Sequence, residues 1–428
     1  EFFRFGSGFL LNDLLKHIDF TTPNITRQIL FIGDSAQLPP VNMNFSPALD
    51  KKYLSELPYN LSIDEIELTD VARQKQNSGI LINATSIREQ IAEKRFNKIR
   101  IETEFEDINP IQHVEIVNNY LNCKTIQNDN DMVIIAYSNK SVQHYNDLIR
   151  ERLFPKKKTI QPKDRFLVVR NNYNYGVLNG EFGTINKVYT ATETEYVGLR
   201  KKTGNIQVEL KFRDVCVEVL DIKGKAIEFD CKIIENQLDS KEPQLTSDEQ
   251  RALYVLFKKN NPELKAGTPE FKEAIKTDKY FNALQVKYGY AVTCHKAQGG
   301  EWDNCIIDFF TSQPPFNEPY FRWCYTALTR CKENLYSFNA PQLSPADGLE
   351  ITESNPSSKK DIQSILVSEN NLVGIPENLS FENEFQLGFC RKVLSLIESN
   401  TQISDIKHNQ FSERYYFVTE PESTVIDF

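Results

Sequence analysis

Five consecutive apolar residues, Met132 to Ala136, run directly into an amphipathic stretch, and this junction constrains the fold most. An apolar run of that length without alternation suits a strand buried on both faces. From Ser141 to Leu153, Val142, Tyr145, Leu148 and Ile149 recur at helical spacing on one face. A helical stretch near residues 78 to 95 precedes the strand, and the same texture returns near Val286 and runs to about Phe338. Such alternation predicts an α/β fold built on a parallel sheet with crossover helices. Upstream, residues 9 to 18 have helical spacing, and Ile29-Leu30-Phe31-Ile32 reads as a further buried parallel strand.

That strand leads into Gly33-Asp34-Ser35-Ala36-Gln37-Leu38-Pro39-Pro40-Val41. Open α/β sheets bind ligands at the carboxyl ends of their strands. Gly33 would let the backbone approach a phosphate, and Asp34 and Gln37 are suited to sensing water or a metal. Pro39 and Pro40 fix an extended exit.

From 164 to 234 the period changes to two: Phe166 and Val168, then Ile206, Val208, Leu210 and Phe212, then Val215, Val217 and Val219. After a Lys-Gly-Lys turn at 223 to 225, Ile227, Phe229, Cys231 and Ile233 continue the pattern. This predicts a small antiparallel barrel or meander inserted into a discontinuous α/β domain. Ser247 and Gln250 suit a capping box opening a helix over 248 to 259. Residues 339 to 360 are rich in Pro, Ser and polar residues and read as a linker. Beyond it, a helical face of Phe385, Phe389, Val393 and Leu396 and strand-like runs at Ile403 and at Tyr415 to Val418 suggest a small α+β appendage.

The chain of 428 residues suggests about three domains. No apolar run approaches a membrane span, so the expectation is a soluble, cytoplasmic protein with no membrane partner. Eight cysteines and five histidines are scattered without a C-x-x-C pair, which argues for reduced thiols and no metal site. The net charge of −9 counts against a nucleic-acid partner, although affinity depends on the charges facing the phosphates rather than on the total.

Five blocks carry chemistry. GDSAQLPPV is the first, and Glu67-Leu68-Thr69-Asp70-Val71-Ala72-Arg73-Gln74 is the second. The third is Met132 to Lys140, ending in Ser138-Asn139-Lys140, where Ser138 and Asn139 suit a helix cap or a phosphate at the helix start. The fourth is Gly289 to Asp303, containing Thr293-Cys294-His295-Lys296-Ala297-Gln298-Gly299-Gly300-Glu301. Thr293, His295 and Lys296 set three donors side by side, as a single-strand backbone would require. The fifth is Tyr325-Thr326-Ala327-Leu328-Thr329-Arg330, with Thr326 and Arg330 one helical turn apart. Between the third and fourth, Val177-Leu178-Asn179-Gly180 is a hairpin signal whose structural reading is sufficient.

In this order the blocks resemble superfamily 1B DNA helicases of the Dda/RecD-like type, over residues 1 to about 338. The resemblance implies RecA-like lobes with an SH3-like barrel inserted in the second. The implied division is 1–55 as a remnant of the first lobe, 56–160 and 285–338 as the second lobe, and 161–284 as the β-rich insertion. A linker at 339–360 and an appendage at 361–428 complete it. It implies an ATP site of Gly33, Asp34, Gln37, Arg73, Gln298, Gly299, Glu301 and Arg330, with Gln37, Arg73 and Arg330 acting on the γ-phosphate. It implies DNA contacts from Pro39, Pro40, Ser138, Asn139, Lys140, Thr293, His295 and Lys296, with single strands and duplex junctions as partners.

No G-x-x-x-x-G-K-[ST] loop occurs, and Ile63-Asp64-Glu65 is a decoy for the metal-binding acidic pair, since the family has none there. The expectation is a carboxyl-terminal part of a 5′-to-3′ helicase whose Mg²⁺ ligand and phosphate cradle lie on a missing upstream lobe. By itself it would hydrolyse almost no ATP. Alternatives are a non-catalytic single-strand-binding or regulatory subunit, a UvrD-type 3′-to-5′ helicase, and a nuclease fusion for which Glu382, Glu384 and Glu398 form no recognisable metal set.

Overall fold

The computed structural model describes residues 9–18, 27–41, 43–59, 61–68, 78–124, 132–202, 204–220, 224–343, 390, 401–409, 412–419 and 422–427. They belong to two units, residues 1–347 and 348–428.

In the first unit, helix α1 (Leu10–Ile18) buries Leu15. The expected buried strand at 29 to 32 is not formed: the segment has no regular secondary structure and pairs with no described strand, with Leu30 81% and Ile32 84% exposed. A strand's apolar side chains are buried when it is paired into a sheet whose faces are covered, and among the described residues no strand pairs with this segment. Helix α2 (Lys51–Ser55) starts where the Asp50 carboxylate accepts from the Tyr53 N–H. Helix α3 (Gly79–Ala92) is capped by Ser78, whose hydroxyl accepts from the Leu81 N–H. Strands β1 (Ile99–Arg100) and β2 (Ile108–Pro110) and helix α4 (Ile116–Lys124) lead to β3 (Met132–Ala136), which is buried throughout. Helix α5 (Asn139–Leu153) follows, capped by Ser138.

The chain then leaves the sheet. Strands β4 (Arg165–Val168), β5 (Phe182–Val188), β6 (Glu193–Lys201), β7 (Gly204–Leu220) and β8 (Ala226–Ile234) are followed by helices α6 (Ser247–Asn260) and α7 (Pro269–Thr277), then by β9 (Leu284–Tyr288). The order β5-β4-β9-β8-β7 closes on itself because β5 also pairs with β7, so the insertion is a barrel. The length of β7 allows this: residues 204 to 212 pair with β6, while 215 to 219 pair with β5 along the same edge. Closure leaves no unpaired edge around the ring. The capping box of α6 is Thr246 with Glu249, one residue before the expected Ser247 and Gln250. The Gln250 amide instead donates to the Leu245 carbonyl at 2.8 Å.

The α/β lobe resumes at β10 (Ala291–Thr293), then helix α8 (Cys294–Ala297), β11 (Trp302–Asp308), helix α9 (Glu318–Leu328), β12 (Cys331–Phe338) and β13 (Gln342–Leu343). The sheet order is β10-β3-β11-β12-β2, with every pairing parallel. Its two faces explain the unbroken apolar run of β3. Val133 and Ile135 pack with α3 and α9, through Ile80, Ile87, Phe321 and Leu328. Met132, Ile134 and Ala136 face the opposite core, with Tyr145 and Ile149 of α5 and the barrel residues Phe166 and Val286. The expected linker begins later than 339, because β13 pairs with β1; residues 344–360 lie outside the described residues.

Barrel and sheet are welded where the chain crosses between them. Arg150 of α5 donates to both oxygens of the fully buried Asp164, at 2.9 and 3.0 Å, and lies 3.9 Å above the Tyr288 ring. The Tyr290 hydroxyl donates to the same carboxylate at 2.7 Å. At Gly289 an added Cβ would stand 2.8 Å from the Phe166 carbonyl carbon, so only glycine fits between the two modules.

The second unit contains an antiparallel meander of β14 (Thr401–Asn409), β15 (Ser412–Thr419) and β16 (Glu422–Asp427), with Ile403 and Tyr415 buried. Of the helix expected here, Cys390 is helical; Phe385, Phe389, Val393 and Leu396 lie outside the described residues.

Candidate nucleic-acid interface

Helix α8 is one turn long and begins as β10 ends. Its backbone turns away at Gly299, whose φ of +83° is the left-handed conformation that closes helices at low cost with glycine. This short helix puts His295 and Lys296 toward solvent while Cys294 and Ala297 anchor it in the core. Partial desolvation lowers the pKa of His295, which disfavours its charged form. Desolvation also lowers that of Lys296, an unfavourable setting for a cation that an anion would relieve.

Against α8 lies the proline loop. The Leu38 N–H donates to the Thr326 hydroxyl at 2.9 Å, and the Leu38 carbonyl accepts from the Gln298 side chain at 2.8 Å. Arg322 of α9 donates to the Ser35 carbonyl and, at 3.2 Å, to the Gln37 carbonyl. The first, fourth and fifth sequence blocks are thus bonded together. Between them runs a groove of about 300 Å³ lined by Pro39, Pro40, Val41, Asn179, Gly180, His295, Lys296 and Gln298. Four of the expected DNA contacts, Pro39, Pro40, His295 and Lys296, share it. The sequence marks Asn179 as a turn residue only, yet its side-chain oxygen accepts from the Lys296 ammonium at 2.5 Å. Its Asn-Gly pattern signals the turn but not what the turn faces.

Thr293, Ser138, Asn139 and Lys140 are not among the lining residues of that groove. They leave adjacent strands at the same sheet edge, since Thr293 is in register with Ala136. Ser138 is occupied as a cap, accepting from the Ser141 N–H at 3.1 Å.

On the other side of the proline loop, Asp34 is the hub of a second cluster. It accepts from the Tyr325 hydroxyl at 2.6 Å, from Arg88 at 3.1 Å, from the Ala36 N–H at 3.0 Å and from the Gln37 amide at 3.4 Å. Burial, then the bond to Asp34, pushes the Tyr325 phenol up to about 12, so it remains the donor. Arg88, which also bonds Tyr325 and Glu67, lies outside every motif block, so no sequence signal marks it. Gly33 and Glu301 are exposed beside this cluster and α8 respectively. Arg330 is only 4% exposed, and its guanidinium donates to the Thr326 and Gly300 carbonyls, both at 3.1 Å, and to the Thr329 hydroxyl at 2.9 Å. It is turned into the protein rather than outward. Arg73 lies outside the described residues.

Residues 288–336, which hold β10, α8, β11 and α9, match the family model of the UvrD-like helicase C-terminal domain. No curated protein sequence matches the chain. Among solved structures, it is similar to the Pif1 helicase from Bacteroides in complex with ADP-AlF3 and ssDNA, at 15% identity and a TM-score of 0.32, covering 71% of this chain and 60% of that one. The Pif1 helicase from Candida albicans is 12% identical with a TM-score of 0.34, covering 72% and 64%. Bacteroides Pif1 bound to ssDNA is 14% identical with a TM-score of 0.27, covering 65% and 52%. Likenesses this weak establish neither activity nor partner, and the chain spans less than two thirds of each of these proteins. No described helix is long and apolar enough to cross a membrane.

Proposed function

We propose that this sequence is the second lobe, with part of the first, of an ATP-dependent DNA helicase or translocase of superfamily 1 that travels 5′ to 3′. The observation that carries the reading is the groove: the proline loop and the Asn179-Gly180 turn meet there with the His295-Lys296 helix turn, which lies within the helicase-like segment 288–336. In it the single strand's phosphates would meet Lys296 and His295, with prolines as an apolar wall. The net charge of −9 then matters less than the local cations.

ATP with Mg²⁺ would bind on the Asp34 side of the same loop. The residues present do not fit a triphosphate by themselves: Gln37 is bonded to Asp34, Arg330 faces carbonyls, and the sequence has no phosphate loop. For a triphosphate to be held there, a phosphate cradle and a metal carboxylate would have to be supplied by other residues. The loop's bonds to Thr326 and Gln298 would carry a change at Asp34 and Gln37 to Pro39 and Pro40.

One observation favours a second reading, a non-catalytic single-strand-binding subunit: the inward, hydrogen-bonded setting of Arg330. Two measurements test these readings, and the second separates them. Fluorescence anisotropy with labelled oligo(dT) should give binding whose salt slope falls by about 0.7 in Lys296→Ala, the value for one phosphate contact on a single strand. Absence of binding by the wild type refutes both. Single-strand-stimulated ATP hydrolysis by the intact gene product, lost in Arg330→Ala, supports the motor; DNA binding without hydrolysis supports the second reading.

A further inference from the structure

The loop that joins β4 to β5 ends in the groove at Asn179 and Gly180, but it begins ten residues earlier and carries an unusual side chain at its tip. Tyr173 is 71% exposed. Its position is nevertheless fixed, because asparagines hold the backbone on either side. The Asn172 side chain donates to the Asn282 carbonyl at 2.8 Å, and its backbone N–H and carbonyl both bond Val177, at 2.8 and 3.1 Å. The Asn174 side chain donates to the Lys276 carbonyl at 2.6 Å. Beneath the tip, Tyr175 stacks on Phe229 with ring centroids 5.2 Å apart and planes 12° apart. A loop anchored at so many points presents its exposed ring at little further entropic cost on binding.

A continuous chain of hydrogen bonds joins that ring to the groove. The Tyr173 hydroxyl accepts from the Asn171 amide at 3.2 Å. The Asn171 oxygen accepts from the Asn179 N–H at 2.8 Å, and the Asn179 side chain accepts from Lys296. Solvated tyrosines are ordinary on protein surfaces; one tied through two asparagines to the cation of a candidate strand groove has a specific use. A cation linked through an anchored loop to a solvent-facing aromatic is the pair of features with which proteins grip single strands, the cation taking phosphate and the ring taking a base face.

We propose that Tyr173 is a base-stacking platform for single-stranded DNA, extending the path from the Pro39/His295/Lys296 groove onto the barrel by way of the Asn179-Gly180 turn. This rests on the groove being a DNA site. The strand would cross the loop with a phosphate on Lys296 and a neighbouring base on the Tyr173 ring. Stacking tolerates any base, so the platform adds affinity without sequence preference.

The test uses the full chain and fluorescein-labelled oligo(dT) of about 16 nucleotides, long enough to span groove and loop. Tyr173→Ala should weaken binding by about five- to a hundred-fold, while Tyr173→Phe, which keeps the ring and loses the Asn171 bond, should stay within about twofold. A scan with a single abasic nucleotide should find one position at which Tyr173→Ala costs nothing further, marking the stacked base. If Lys296→Ala weakens binding but Tyr173→Ala does not, the platform is refuted and the groove stands. If Tyr173→Phe is as weak as Tyr173→Ala, the hydroxyl tether matters and stacking is refuted. If the wild type does not bind, groove and platform fall together.

Discussion

Replacing Thr326 with valine tests how the proline loop is held. Thr326 is fully buried on α9, and its hydroxyl is the acceptor for the Leu38 N–H. Valine nearly preserves the shape, so the cavity and packing contributions are small and the lost hydrogen bond dominates. A buried donor left unpaired costs about 1–3 kcal/mol. Leu38 is only half-buried, so water replaces part of the bond and the cost falls near the lower end, about 1 kcal/mol. The other bond of the hydroxyl, to the Arg322 carbonyl four residues back, adds little to a helix. Gln298 and Arg322 still grip the Leu38 and Gln37 carbonyls, so the loop remains docked but opens more often. Thr326→Val should therefore speed hydrogen exchange in the peptide spanning Leu38 by about five- to tenfold and weaken oligo(dT) binding by no more than that factor. Unchanged exchange at Leu38, or an equal increase across β3 and β11, refutes this account of the loop.

Other perturbations probe the joint and the barrel. Arg150→Met leaves the Asp164 carboxylate buried without its cation and should cost about 3–5 kcal/mol in urea unfolding, more than any exposed ion-pair variant. Burial lowers Lys287 from 10.5 to about 8. Between those values the unfolded chain holds the extra proton, so unfolding free energy rises with pH across that window. Lys287→Met should flatten the rise between about pH 8 and pH 10, and an unchanged slope would show that this amine is not desolvated.

The parts of the fold that were legible in sequence are those where one strong periodicity coincides with burial. β3 and α5 follow directly from the apolar run and the amphipathic face beside it, because both faces of β3 are covered. The alternation after 164 gives the barrel strands, but not its closure, since a pairing between β5 and the far half of β7 leaves no local signal. Ile29 to Ile32 misled for the opposite reason: apolar character speaks for burial only where neighbours exist. The capping box shifted by one residue because Thr246/Glu249 and Ser247/Gln250 both fit the pattern, and only the structure shows which pair closes. Of the residues that motif spacing singles out, Pro39, Pro40, His295 and Lys296 line one groove, whereas the contacts of Asn179, Arg88 and Arg322 span long sequence separations that spacing does not register. Arg330 stands in the expected block, yet its direction depends on the Gly300 carbonyl, which no hexapeptide pattern encodes.

Photocrosslinking with oligo(dT) carrying 5-iodouracil, followed by peptide mapping, asks most directly whether three separated segments form one strand path. Crosslinks should fall in residues 39–41, 173–180 and 293–298, and all should be lost together when unlabelled oligo(dT) competes. Crosslinks confined to the outer face of the barrel around β6, or to the helical surface near Leu148 and Arg152, would contradict the assignment.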